Sequence, residues 1–230
     1  MIPPPPTPWP LLPDSRVVLL VGGSFDPPHV AHLSLPVELR DRLFPDAALV
    51  FIPAAASPFK AGHAQTPPQH RARMLGLAVD HLRRSGVPDL AVWSDEIDRG
   101  EPSFTIDTLR RAQLVAPAAS LRLILGADQA AAFHRWRESS EILRLAQPLV
   151  LLRPPVDTVD ELAAALRATG AWTPDQIQAW CDRAVRTRLV DVSSTRIRDL
   201  IRTQGIDAVP GDWIDADVRA FIDQHGLYRA

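Results

Sequence analysis

Cysteine, lysine and tyrosine are nearly absent from this sequence. One cysteine, Cys181, in 230 residues excludes an internal disulfide and a metal cluster built from cysteines. No apolar run approaches the roughly 18 residues of a membrane-spanning helix, and the N-terminus lacks the charged and apolar regions of a signal peptide. The net charge of -2 provides no broad basic surface for duplex nucleic acid. These absences predict a cytoplasmic protein that binds neither a membrane nor nucleic acid.

Proline, in contrast, is abundant and is concentrated at the N-terminus. The chain has 23 prolines, and residues 1–14, MIPPPPTPWPLLPD, form a Pro-rich arm that we expect to be extended at the surface. The composition of the whole chain, 46% hydrophobic and 23% charged, is that of a globular protein with one good core. We therefore expect residues 15–230 to form a single domain.

Short apolar runs alternate with segments whose apolar residues recur at helical spacing. Strands are predicted at residues 17–21, 48–52, 90–93, 121–125, 149–152 and 189–192. Helices are predicted between them at residues 33–43, 68–84, 105–114 and 139–145. This alternation predicts an α/β fold with a doubly wound parallel sheet. In such a sheet, ligands bind at the carboxyl ends of the strands.

The C-terminal part of the chain is predicted to be largely helical. Two amphipathic helices are expected at residues 159–169 and 173–185, the second with Thr173 as its cap and Pro174 as its first residue. We interpret residues 154–188 as a helical insertion at the edge of the sheet and as a candidate contact in a homo-oligomer. A final helix at residues 215–225 is expected to end at Gly226.

The stretch GGSFDPPHVAH, residues 22–32, directly follows the first predicted strand. Gly22 and Gly23 lack Cβ atoms, so a ligand can approach the backbone closely. The next helix offers free N–H groups and the positive end of its dipole to an anion. His29 and His32, at positions i and i+3, project to one side of it. The stretch predicts a phosphate site; the alternatives are a plain turn with surface histidines, or a metal site that has no evident third ligand.

The same stretch resembles the GGxFDPxHxGH signature of the nucleotidylyltransferase superfamily, in particular that of the bacterial nicotinate-nucleotide adenylyltransferases. Further segments are similar to motifs of that family, in the same order along the chain. They are SPFK at 57–60 (PPHK), RGEPSFTIDTL at 99–109 (RxxPSYTxDTL), LILGAD at 123–128 with Trp136 (IxGxD and W), VSSTRIR at 192–198 (ISSTxIR) and GLY at 226–228. The resemblance covers almost the whole chain after the arm.

The resemblance implies a Rossmann-like nucleotidylyltransferase fold and a role in NAD biosynthesis. The implied reaction moves AMP from ATP to nicotinate mononucleotide, forming deamido-NAD and pyrophosphate. The acceptor phosphate attacks the α-phosphate of ATP in line, without a covalent enzyme intermediate, so that catalysis rests on positioning and charge neutralisation. The implied cofactor is Mg²⁺, bound chiefly by substrate phosphates rather than by protein ligands.

The resemblance also implies roles for individual residues. The implied catalytic residues are His29, His32, Lys60 and Arg198. The implied ATP-binding residues are Gly23, Ser24, Phe25, His29, His32, Gly126, Asp128, Ser194, Thr195 and Arg198. The implied acceptor-binding residues are Ser24, Phe25, Lys60, Phe104, Thr105 and Trp136.

The residues alone leave other interpretations open for several of these positions. Lys60 is the only lysine among 25 Lys and Arg residues, which indicates a specific use, although it could be one surface lysine. Ser194 and Thr195 could serve simply to cap a helix. Asp128 could be another cap, and Trp136 could belong to the core. The family resemblance favours the functional role at each of these positions.

The chain departs from the family pattern at three positions; Phe104 leaves the acceptor open, and Ala31 and Phe59 leave open whether AMP is transferred. Ala31 occupies a position that is usually glycine, Phe59 one that is usually histidine, and Phe104 one that is often tyrosine. Nicotinamide mononucleotide or another phosphorylated acceptor, such as 4′-phosphopantetheine, is the alternative substrate. A domain that senses a nucleotide without transferring AMP is the alternative from another functional class.

Overall fold

Six parallel strands form one sheet at the centre of the structure. The computed structural model describes residues 5–10, 16–56, 65–100 and 104–229. The strands are β1 (Val17–Gly23), β2 (Ala48–Pro53), β3 (Leu90–Val92), β4 (Ser120–Gly126), β5 (Ala146–Leu152) and β6 (Ala184–Arg186). Their spatial order is β3-β2-β1-β4-β5-β6, and each neighbouring pair is parallel. The predicted α/β fold with a doubly wound parallel sheet is confirmed.

Ten α-helices accompany the sheet in the part of the chain that the structure describes. They are α1 (Val30–Leu43), α2 (Pro68–Arg84), α3 (Asp95–Arg99), α4 (Thr105–Val115), α5 (Ala127–Ala131), α6 (Ser139–Leu145), α7 (Val159–Ala168), α8 (Pro174–Cys181), α9 (Ser194–Gln204) and α10 (Ala216–Gln224). Of these described helices, none has both the length and the apolar character needed to cross a bilayer.

The sheet separates two hydrophobic cores because successive side chains of a strand point to opposite faces. Leu20 and Ile52 pack with side chains of α4, α6, α7 and α8 on one face. Leu19 and Phe51 pack with side chains of α1, α2, α9 and α10 on the other. Since both faces are covered, residues 18–21 of β1 and the whole of β2 are buried and read as continuous apolar runs.

The predicted strand at residues 189–192 is wrong. The sixth strand is β6, which pairs with β5 through Val150↔Ala184 and Leu151↔Val185. Leu189 is 73% exposed, whereas Val185 is only 8% exposed. The predicted helix at 173–185 accordingly ends at Cys181. The cause is tertiary: Trp180, 1% exposed, anchors the end of α8 in the core, so that the chain reaches the edge of β5 directly afterwards.

Residues 154–188, which we interpret as an insertion, contain α7, α8 and β6. Both helices begin with a capping box, in which a threonine side chain and a residue three positions later satisfy each other's backbone N–H groups. The pairs are Thr158 with Glu161 and Thr173 with Gln176. The final helix is confirmed, with Asp215 as its cap and Gly226 at a φ of 58° just beyond its end.

The described part of the N-terminal arm, residues 5–10, lies against the end of β3 and the helices α3 and α4. The Thr7 N–H donates to Asp95 Oδ1 at 2.8 Å, and the Trp93 indole donates to the Thr7 carbonyl at 3.1 Å. The rings of Trp9 and Trp93 meet edge to face, with centroids 4.9 Å apart. Asp95 is fully buried and also accepts from Arg111 at 2.6 and 2.7 Å. The arm therefore covers a buried ion pair.

Candidate active site

A cavity of about 550 Å³ opens at the carboxyl ends of β1, β2, β4 and β5. The order of the strands reverses between β1 and β4, and ligands of open α/β sheets bind at such a reversal. Several predicted site residues line this cavity. They are Gly23, Ser24, Phe25, His32, Phe104, Thr105, Gly126 and Trp136. The structure thus brings residues from distant parts of the sequence to one place.

The remaining predicted site residues that the structure describes are not among those that line the cavity, but each contacts the loop after β1, a residue of the wall or, in the case of Thr195, Arg198. His29 stacks on His32, Asp128 pairs with Arg153, and Arg198 bonds to the loop after β1. Ser194 and Thr195 begin α9 next to that loop. The predicted SPFK segment at residues 57–60, with Phe59 and Lys60, lies outside the described residues.

The two glycines at the end of β1 have different structural roles. A Cβ atom on Gly22 would meet nothing within 4 Å, so that the backbone there is open to a ligand in the cavity. A Cβ atom on Gly23 would lie 3.1 Å from the ring of Phe25. Phe25 is 1% exposed and has a φ of 48°, which turns the chain sharply. Its side chain therefore belongs to the core, and its backbone N–H is the group that a ligand could use.

His29 and His32 form a stacked pair at the start of α1. His29 is the cap residue of this helix, and the two ring centroids are 3.7 Å apart with planes at 22°. His32 lines the cavity, whereas His29 is 5% exposed and lines a second cavity of about 420 Å³ with Trp213. Among the described residues, the His29 Nδ1 atom has no hydrogen-bond partner.

The buried position of His29 sets its charge. Burial, followed by the positive charge of Arg153, lowers the pKa of His29 to about 4. At pH 7 the ring is therefore neutral in the ligand-free protein. It can donate one N–H to an anion, but it carries no positive charge of its own until an anion raises its pKa.

An ion pair between Arg153 and Asp128 lies at the edge of the cavity, beside the end of β4. Arg153 donates to Asp128 Oδ1 at 3.0 Å. Burial acts to raise the pKa of Asp128, but the charge and hydrogen bond of Arg153 outweigh it, so the pKa lies below its usual value. A Cβ atom on Gly126 would lie 2.5 Å from Asp128 Oδ1 and 2.8 Å from the Arg153 guanidinium. A larger residue at 126 would require these side chains to shift. The ionised Asp128 can accept from ribose hydroxyls.

The start of α9 is tied to the loop that follows β1. Ser193 caps α9 by accepting from the Arg196 N–H at 3.2 Å. The Ser194 hydroxyl donates to the Pro27 carbonyl at 2.8 Å, and Arg198 donates to the Asp26 carbonyl at 2.7 Å. The two predicted phosphate-binding helix starts are therefore neighbours. In the ligand-free protein, Ser194 and Arg198 hold the loop in place.

Aromatic and cationic side chains form the far wall of the cavity. Trp136 stacks on Phe133 with centroids 5.0 Å apart and planes at 30°. Phe104 precedes α4, and the Arg137 guanidinium lies 5.0 Å from the centre of its ring. Trp136 is therefore partly packed against the core while one part of it faces the cavity.

Sequence reasoning missed four charged residues on the cavity wall. They are Glu96, Arg135, Arg137 and Arg153. Arg153 follows β5 directly, so that its place at the end of a central strand was the available signal. Arg135 and Arg137 flank Trp136, but alternating arginines in an arginine-rich chain give no distinctive pattern.

Comparisons with known proteins agree on one family. The family model described as cytidylyltransferase-like matches residues 20–200. A protein of Roseiflexus sp. (strain RS-1), named "Probable nicotinate-nucleotide adenylyltransferase", is 37% identical over 225 residues, which cover 94% of this chain and 99% of that protein. A protein of the same name from Dehalococcoides mccartyi (strain ATCC BAA-2266 / KCTC 15142 / 195) is 33% identical over 216 residues, covering 91% and 95%.

A solved structure has the same fold at low sequence identity. It is the Plasmodium falciparum nicotinic acid mononucleotide adenylyltransferase complexed with NaAD, which matches with a TM-score of 0.65 and 14% identity. The match covers 93% of this chain and 97% of that one. At this identity the likeness establishes the arrangement of strands and helices.

Proposed function

The chain belongs to the cytidylyltransferase-like family, and from this membership we propose that it transfers AMP from ATP to nicotinate mononucleotide, forming deamido-NAD and pyrophosphate. The family that the ordered motifs predict is confirmed by these comparisons. The observation that carries the proposal is the cavity at the strand ends. Its wall combines a glycine-rich loop, His32 and Arg153 with the ring of Trp136.

The proposed reaction needs positioning more than covalent help from the protein. An oxygen of the acceptor phosphate forms a bond to the α-phosphorus of ATP, and the bond from that phosphorus to the bridging oxygen of the β-phosphate breaks. Pyrophosphate leaves with the electron pair. Negative charge grows on the departing group, so preorganised N–H donors and cations lower the barrier.

Three groups of this chain suit that task. Residues 23–25 line the cavity at the start of the loop, and the backbone N–H groups of Ser24 and Phe25 are candidate donors. His32 lies on the wall at the N-terminal end of α1, where the helix dipole favours an anion. Arg153 supplies a permanent positive charge at the same end of the sheet. In the proposal, these groups hold the triphosphate, and Asp128 accepts from the ribose hydroxyls of ATP.

The donor set at the cavity fits Mg²⁺ that is held mainly by phosphate oxygens. The described residues contain no group of three or more His, Cys, Asp or Glu side chains that could hold a metal ion. Besides Glu96, whose carboxylate accepts from the Thr108 hydroxyl, the wall presents guanidinium and imidazole groups, which suit a triphosphate. Bound with ATP, Mg²⁺ would neutralise part of the phosphate charge.

The far wall of the cavity favours an acidic acceptor. Trp136 offers a flat face to a pyridine ring, and Thr105 lies in the first turn of α4. Arg135 and Arg137 add two guanidinium groups beside that face. A carboxylate would be attracted by these charges, whereas an amide would not. We therefore expect nicotinate mononucleotide to be preferred over nicotinamide mononucleotide.

Pyrophosphate release tests the proposal directly. ATP and Mg²⁺ are supplied with nicotinate mononucleotide, nicotinamide mononucleotide or 4′-phosphopantetheine in separate reactions. We expect the highest kcat/KM with nicotinate mononucleotide. Activity only with 4′-phosphopantetheine would assign a different transferase. No release with any acceptor, together with measurable ATP binding by calorimetry, would favour the nucleotide-sensing alternative, and Ala31→Gly would then be the first variant to test because Ala31 lines the cavity.

A further inference from the structure

The side chain of Asp26 joins the loop after β1 to the end of the chain. We call residues 22–29 the signature loop. Asp26 is 5% exposed, and its Oδ1 atom accepts a hydrogen bond from the Tyr228 hydroxyl at 2.7 Å. Its Oδ2 atom accepts from the Thr66 N–H at 3.3 Å. A nearly buried carboxylate needs such donors, since an unsatisfied one is costly to keep away from water.

Tyr228 is suited to be a permanent donor in this bond. It is the only tyrosine of the chain, and it lies in the GLY motif that no proposed substrate contact uses. Burial, and then the negative charge of Asp26, raises the pKa of Tyr228 far above its ordinary value. The hydroxyl therefore keeps its proton at every working pH.

The backbone on both sides of Asp26 is held as well. Arg198 donates to the Asp26 carbonyl at 2.7 Å. Arg71, 1% exposed, donates to the carbonyls of Ser24 at 2.8 Å and Ala55 at 2.7 Å. The bonds to Ser24 and Asp26 hold carbonyl groups of the signature loop. The Ser24 carbonyl that points toward Arg71 leaves the Phe25 N–H, on the opposite edge of the same peptide, for another partner. The side chain of Asp26 is held by the Tyr228 hydroxyl and by the Thr66 N–H.

We propose that Tyr228 is a positioning residue, whose hydrogen bond to Asp26 holds the signature loop in the arrangement that binds phosphate. This inference rests on the proposed function for its kinetic consequence, but its structural part can be measured without any activity. In this inference Tyr228 acts through Asp26, which lies four residues before Val30, the first residue of α1, and six residues before His32. A loop that moves by a fraction of an ångström would misplace both the loop N–H groups and His32.

The variant Tyr228→Phe tests this inference with little change in packing. Without the hydroxyl, Asp26 loses its closest donor, and we expect kcat to fall about tenfold to a hundredfold because small misplacements are costly in catalysis. We expect the KM for ATP to change much less. The matched control is Arg229→Ala, which removes a neighbouring surface ion pair with Asp223 and leaves Asp26 untouched. That control should keep the wild-type kcat.

A double-variant cycle distinguishes positioning from general stability. In an Asp26→Ala background, Tyr228→Phe should cause no further loss of kcat, because the bond is already absent. Equal losses in both backgrounds would show that Tyr228 does not act through Asp26 and would overturn the inference. A wild-type kcat for Tyr228→Phe would also overturn the inference. So would a loss of kcat that is seen near the unfolding temperature and disappears well below it, because such a loss reflects stability and not positioning.

Amide hydrogen exchange separates this inference from the proposed function. In Tyr228→Phe, we expect exchange of residues 22–32 to rise about tenfold while exchange in the sheet is unchanged. Unchanged exchange in residues 22–32 would overturn the inference even if the wild-type protein transfers AMP. Increased exchange with a wild-type protein that releases no pyrophosphate would support the loop-holding role and contradict the proposed reaction.

Discussion

The imidazole ring of His29 stacks on that of His32 at 3.7 Å, and only His32 lies on the wall of the main cavity. His32 is also packed edge to face against Phe25, with centroids 5.2 Å apart. The cavity-facing ring is therefore held between two other rings. His29 and Phe25, each at most 5% exposed, thus orient the histidine that can meet a phosphate.

Replacement of His32 by alanine should reduce the chemical step far more than ATP binding. If the ring stabilises charge on the departing pyrophosphate, kcat should fall by about 10² to 10³, the usual effect of losing one preorganised donor. The dissociation constant for ATP, measured by calorimetry, should change by less than about tenfold. His225→Ala, which alters an exposed histidine, serves as the control. Parallel losses in binding and kcat would contradict this role.

The low pKa of His29 should make the protein less stable in mild acid. The unfolded chain takes up a proton near pH 6.5, whereas folded His29 does so only near about 4. Within that window the unfolded state binds more protons, so the free energy of unfolding falls as pH falls. Between about pH 7.5 and pH 5 the loss from this group should be about 2 kcal/mol.

Urea unfolding at several pH values measures this dependence. The control is His29→Asn, which removes the titrating ring and leaves the carboxylates that also titrate in acid. The pH dependence of the wild-type protein should be steeper than that of the variant by the stated amount. Identical slopes for the two proteins would show that His29 titrates near its ordinary value in the folded state.

Alanine at position 126 should disturb nucleotide binding. The added methyl group would lie 2.5 Å from Asp128 Oδ1 and 2.8 Å from the Arg153 guanidinium, so that these side chains must shift. We expect the KM for ATP to rise about tenfold, which corresponds to the loss of one or two good hydrogen bonds. Gly76→Ala is the matched control, because its methyl group would meet nothing within 4 Å in the middle of α2. Steady-state kinetics that show equal KM values for both variants would contradict the assignment.

Lys60→Ala should lower activity strongly if this single lysine contacts phosphate. The residue lies outside the described part of the chain, so the prediction rests on the sequence and on the family resemblance. We expect kcat/KM to fall by about 10² because a charge contact to phosphate is lost. Lys60→Arg, which keeps the charge on a bulkier group, should retain more activity. An unaffected Lys60→Ala enzyme would make Lys60 an ordinary surface residue.

The sequence was sufficient for most of the fold because buried parallel strands and capped helices leave local patterns. Such patterns predict the starts of α2, α4 and α6, the cap Thr173 and the end of the final helix at Gly226. They do not predict the edge strand β6, since its three residues, Ala184–Arg186, are selected by the anchoring of Trp180. No local sequence pattern indicates which residues after α8 form the edge strand.

The candidate site was predictable only in part, for a related reason. The motif residues could be found because their types and spacing suit a phosphate. Arg153 and the bond between Tyr228 and Asp26 depend on segments far apart in sequence that meet through the strand order. Likewise, no local pattern indicates that Ser194 and Arg198 hold loop carbonyls in the ligand-free protein.

The docking of residues 5–10 has a practical consequence for handling the protein. Thr7 and Trp9 lie against Asp95 and Trp93, and the helix that begins at Asp95 also supplies Glu96 to the cavity wall. An affinity tag or fusion partner joined ahead of the arm would therefore be attached to a segment that covers the buried ion pair of Asp95 and Arg111. Kinetic and stability measurements on this protein are for this reason best made after the tag has been removed by a protease.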